Sequence, residues 1–173
     1  MPGDFSRDTF DPALQRSAVR LQQGRLVVDA DWNEQRDIEL HDVRTGRHHM
    51  VGSAGGPVGD VGFELTGGAS LDYGAGTYSV DGIRVVTDGG DVPDAPTADG
   101  TYLVYLDVWE RYVSAIDDPS IREVALGGPD TSGRSVVTHR VRTLELPAGG
   151  TPTCASSFAE WDAVVAGSTG TMA

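Results

Sequence analysis

Residues 19–40, VRLQQGRLVVDADWNEQRDIEL, constrain this chain more than any other stretch, because they combine β-prone runs, a turn and a helix start. The runs are Ser17 to Leu21 and Arg25 to Ala30, separated by Gln22-Gln23-Gly24. Gly24 can supply the positive φ that a hairpin loop requires, so the pair reads as a hairpin. Asp31 then stands at an N-cap position with Glu34 three residues later, an Asp-x-x-Glu pattern that predicts a capping box. The expected helix runs from Trp32 to about Thr45 and ends at Gly46.

At 100° per residue, Trp32, Leu40, Val43 and Met50 fall on one side of this helix, with Arg36, Glu39 and Arg47 in the same sector. The apolar stripe is interrupted by charge. It reads either as the face of a half-exposed surface helix or as one that meets another subunit through mixed apolar and ionic contacts.

Downstream, the alternation Tyr78, Val80 before Asp81-Gly82 and Ile83, Val85 after it predicts a second hairpin over Thr77 to Val86, with a type I′ turn. Thr101 to Ile116 is the longest β-compatible run. Its apolar residues occur on both faces, which predicts a strand at the centre of a sandwich or beneath a helix. Ser135 to Leu146 is a further strand and Phe158 to Val165 a short helix, followed by a Gly/Ser/Thr tail. Glycine and proline crowd 52–62, 88–100 and 127–130, which read as loops. No exact repeat or heptad array emerges. The fold class is α+β: a mainly antiparallel β-sheet or sandwich with hairpins and one principal helix.

The formal charge of −13, with every basic residue an arginine, argues against nucleic acid or an anionic membrane as a general partner. No run of 18 apolar residues is present to span a bilayer. The single cysteine, Cys154, excludes an intrachain disulfide, and no basic segment followed by an apolar core opens the sequence, so cytoplasmic assembly is expected. Release as part of an extracellular particle is compatible with that.

Several residues invite chemistry. Asp29, Asp31 and Glu34 offer oxygen ligands, but capping already explains two of them. His41 and His48 are seven apart, yet the helix is expected to end at Gly46 between them, so no zinc pair is assigned. There is no Gly-x-Ser-x-Gly elbow, and the absence of lysine excludes a P-loop. Asp107 and Glu110 fall on opposite faces of a strand, so they do not form a glycosidase pair. No catalytic, cofactor or metal residues are assigned. Trp109 and Tyr112 leave a carbohydrate-binding or adhesin-like module as the alternative.

Five segments carry a resemblance: GDFSRDTFDP (Gly3 to Pro12), LQQGRLVVDADWNEQ (Leu21 to Gln35), TYSVDGI (Thr77 to Ile83), YLVYLDVWER (Tyr102 to Arg111) and DPSIREVALGGPDTSGR (Asp118 to Arg134). Together the chain resembles an uncharacterised family encoded in bacterial phage-tail-like gene clusters, the contractile injection systems. The resemblance implies a structural component of the baseplate or spike, in contact with other proteins of the same particle and arranged as a symmetric homo-oligomer. Relatives tend to place an aromatic residue near the end of the Arg134 to Leu146 strand, where this chain has His139. They are usually longer, so further domains are expected after the C-terminal segment.

The expected organisation is an extended N-terminal arm (1–16), a β-hairpin plus helix (17–50), a β-rich body (51–150) and a C-terminal segment (151–173). Phe5, Phe10, Arg25, Trp32 and Arg36 are the candidate interface residues, since aromatic and arginine side chains dominate interface energies.

Overall fold

In the computed structural model, which describes residues 5–67, 70–147 and 156–167, the first long element is helix α1, Asp29–Val51. It starts before the expected N-cap. Val28 occupies the cap position without a side-chain bond, and Asp29 and Asp31 lie within the first turn, where the helix dipole favours carboxylates. Glu34 is not a capping-box partner: its carboxylate accepts from Thr9 Oγ1 at 2.5 Å and from Arg16 Nη1 at 2.7 Å.

Gly46 does not stop the helix. An interior glycine costs only about 1 kcal/mol, and three anchors around it hold the following turn. Arg44 pairs with Glu110 at 2.6 Å, Arg47 donates to the Gly82 carbonyl, and His48 Nδ1 lies 3.6 Å from Asp81. The helix ends at Gly52, whose N–H donates to the His48 carbonyl at 2.7 Å with φ at 86°.

The hairpin expected over 17–30 is not formed. Its turn exists, with Gly24 at φ 72° and Arg25 N–H donating to the Gln22 carbonyl at 3.3 Å, but no ladder joins the two runs. They line an open cleft of about 420 Å³, bordered by Val19, Leu21, Leu26 and Asp31 among others. The physical reason is local competition. The Gln35 side chain takes the Val19 N–H at 2.8 Å and draws the first run onto α1, and a lone two-stranded hairpin of this length is marginal in water.

The body holds two small antiparallel sheets, built from β1 (Ala54–Gly55), β2 (Leu65–Gly67), β3 (Leu71–Tyr73), β4 (Gly76–Val80), β5 (Ile83–Thr87) and β6 (Gly90–Asp91). Their strand orders are β1-β4-β5 and β2-β3-β6. The β4–β5 hairpin matches its sequence signature: Asp81 and Gly82 have φ of 45° and 79°, and Val80 pairs with Ile83. Such a turn requires positive φ at both central residues.

The third sheet is a ribbon of β7 (Thr101–Val113) and β8 (Arg134–Leu146), in register from Thr101↔Leu146 to Val113↔Arg134. Of the two placements expected for this strand, the centre of a sandwich is not formed, while helices do lie against it: Arg44 of α1 pairs with Glu110, and Trp161 packs on Tyr105. β7 has one neighbour, and Val113 alone among its residues is buried, because the chain between the strands folds into short 3-10 turns and adds no third strand. β7 stops short of Ile116 because Ser114 N–H and Oγ both bond the Asp117 carboxylate at 2.9 Å, which opens a turn. His139 lies mid-strand opposite Val108 and packs edge-on against Phe63, with centroids 5.2 Å apart, in an aromatic contact. Helix α2 (Ala159–Gly167) sets Trp161 against Tyr105, with centroids 5.2 Å apart. The Gly/Ser/Thr tail and Cys154 lie outside the described residues.

The resulting architecture is α+β and mostly β, with one principal helix. Its core is thin. Eight apolar residues are buried, among them Ile38, Val85, Val113 and Val141, whereas nineteen large hydrophobic residues of the described chain are exposed.

Candidate functional site

The candidate interface residues lie on the N-terminal arm, the segment before α1 and α1 itself, and the structure does not gather them on one face. Ser6 fixes the arm to the helix start, its N–H and Oγ donating to the Asp29 carboxylate at 2.9 and 2.6 Å. The Ser6 hydroxyl and amide hold the Asp29 carboxyl below its ordinary pKa. Thr9, and then Arg16, do the same for Glu34. Phe5 sits edge-on to Tyr112 with centroids 5.8 Å apart, and Phe10 tilts against His41 at 5.6 Å. The arm is therefore extended but docked on its own chain. Phe5 and Phe10 anchor it there and do not project as a free hook.

Arg25, Trp32 and Arg36 face outward. Trp32 is 69% exposed, and Arg36 makes a solvent-exposed 3.6 Å pair with Glu39. The same side of α1 carries Val43, 53% exposed, and Met50, 82% exposed. Sequence reasoning named this sector but chose only its first two residues. Its apolar content was the signal for the others.

The opposite side of α1, turned toward the body, is mixed apolar and polar. Ala30 and Ile38 are buried there, beside Glu34, Asp37, His41 and Arg44. Burial raises the Asp37 carboxyl above its ordinary pKa, and the nearby Asp8 and Glu110 carboxylates add to that. The helix is only weakly amphipathic. Ala30 and Ile38 are buried against the body and ion pairs and hydrogen bonds add to that attachment, Leu40 and Arg47 of the expected stripe are half-buried, and Trp32, Val43 and Met50 stand among charged residues on the solvent side.

Other sequence candidates are placed elsewhere. His41 and His48 do share a helix, since α1 continues through Gly46, but His41 contacts Phe10 and His48 faces Asp81. No group of three or more His, Cys, Asp or Glu is poised to hold a metal among the described residues. Trp109 and Tyr112 lie on opposite faces of β7, with Tyr112 occupied by Phe5, so they share no stacking platform. Among the described residues, no helix is long and apolar enough to cross a membrane.

A family of unknown function, DUF6519, matches this sequence over residues 1–88 and again over 86–151. The chain belongs to this family. The matched range takes in the arm, α1, both small sheets and the β7–β8 ribbon, which makes α1 part of a DUF6519 domain. No curated protein and no solved structure matches the chain.

Proposed function

We propose that this DUF6519 chain is a non-catalytic structural component of a contractile injection system, attached at the baseplate or spike through subunit contacts. The particle context rests on the five-segment resemblance in Gly3 to Arg134. The assembly role is carried by one observation, the outward apolar stripe of α1. Exposing Trp32, Val43 and Met50 to water has no benefit for an isolated chain, whereas a subunit buries such residues on its neighbours. On this reading the chain is made in the cytoplasm, joins other baseplate or spike proteins in symmetric copies, and leaves with the particle.

The test is cryo-electron microscopy of particles isolated from the producing cell, for the native chain and for a Trp32→Ala/Val43→Ala variant. Symmetry-repeated density for the native chain, lost in the variant, is the expected result. Particles without the chain, together with saturable glycan binding by the free protein, would replace this reading with the adhesin-like one.

A further inference from the structure

The outward residues of α1 follow steps of four and three: Trp32, Arg36, Glu39, Val43, Gly46, Met50. This is the spacing of a helix–helix seam, about 27 Å long at 1.5 Å per residue. It becomes continuous only because the helix runs through Gly46 to Val51.

The seam is complementary to itself in one direction. In an antiparallel pair with its two-fold axis between Asp37 and Ile38, Arg36 faces Glu39 of the second copy, and Glu39 faces its Arg36. Trp32 faces Val43 on either side of this ionic centre. Gly46 faces the first turn of the second copy at Asp29, and Met50 lies about one turn beyond the start of that helix. A parallel pair would instead oppose Arg36 to Arg36 and Glu39 to Glu39, which is repulsive.

Two further observations agree. The Arg36–Glu39 pair within one chain is an exposed i,i+3 contact at 3.6 Å, weak enough to exchange for contacts between chains. A Cβ on Gly46 would meet nothing within 4 Å among the described residues, so they give no packing reason for a mid-helix glycine, while close approach of a second helix does.

We infer that α1 is a homotypic interface: two copies of this chain pair antiparallel along Trp32–Met50, with Arg36 and Glu39 setting direction and register. This deepens the assembly reading above by naming a second copy as the partner.

Analytical ultracentrifugation of the full chain tests it, from low micromolar to near-millimolar concentration, with circular dichroism confirming unchanged helix content. The wild type is expected to dimerise. Arg36→Glu gathers four glutamates at the axis and Glu39→Arg gathers four arginines, and each should weaken the dimer by roughly tenfold or more. An equimolar mixture of the two variants should recover a heterodimer. A wild type that stays monomeric throughout, or single variants that associate like the wild type, would overturn the inference. A monomer that still copurifies with particles would sink this pairing and leave the assembly reading standing. A dimer with the charge-swap pattern that is missing from particles would do the reverse.

Discussion

Arg44 and Glu110 show at the scale of single residues how α1 is held. They meet at 2.6 Å with 13% and 27% of their side chains exposed, so removing one leaves a half-buried charge unpaired. Glu110→Gln should cost about 2 kcal/mol, read from urea unfolding. Gly82→Ala should cost at least as much, because φ is 79° and the new Cβ would collide with the Arg44 carbonyl. Asp29 and Glu34 make the arm acid-sensitive. Their folded pKa values lie below the unfolded ones, so their contribution is complete above the ordinary carboxylate range and is lost as pH falls through the depressed values. The Ser6 amide resonance, followed by NMR on acidification, should titrate below that range as the arm undocks. Asp37 has the opposite sign: its folded pKa is raised, so its ionised form is disfavoured in the fold near neutrality. Asp37→Asn should raise the melting temperature at neutral pH, with the gain disappearing in acid.

At the scale of elements, local sequence and tertiary contacts disagree most over 17–52. The Asp81-Gly82 hairpin was legible because a type I′ turn is specified by the two residues that occupy it. The two long strands were legible from β-propensity and length. The helix boundaries were not, because Asp31-x-x-Glu34 resembles a capping box while Thr9 and Arg16, distant in sequence, claim Glu34. Gly46 resembles a stop, but Glu110 holds Arg44 just before it, and Gly82 and Asp81 anchor Arg47 and His48 beyond it. Gly46→Ala should therefore stabilise the monomer by about 1 kcal/mol in denaturant titration, since the added Cβ meets nothing within 4 Å among the described residues. The placement of the candidate interface residues was legible only in part. Arg25, Trp32 and Arg36 are exposed, whereas Phe5 and Phe10 pack on Tyr112 and His41, contacts that depend on where β7 and α1 lie in space.

For the whole molecule, the thin core has a thermodynamic consequence. With eight buried apolar residues against nineteen exposed large ones in the described chain, little apolar area stabilises the isolated subunit. If the proposed pairing holds, association adds to stability by mass action. Differential scanning fluorimetry should show the melting temperature rising with protein concentration for the wild type and staying flat for Arg36→Glu.

The sequence by itself determined the α+β class, the glycine-dependent hairpin, the long strands and the arginine-only, acidic character, because each follows from neighbouring residues or from composition. Tertiary structure decided which side of α1 faces inward. An apolar stripe on a helix is ordinarily the buried one. Here the ion pair to Glu110, the bond to Gly82 and the docked arm claim the polar side for the body, and Trp32, Val43 and Met50 are left to the surface.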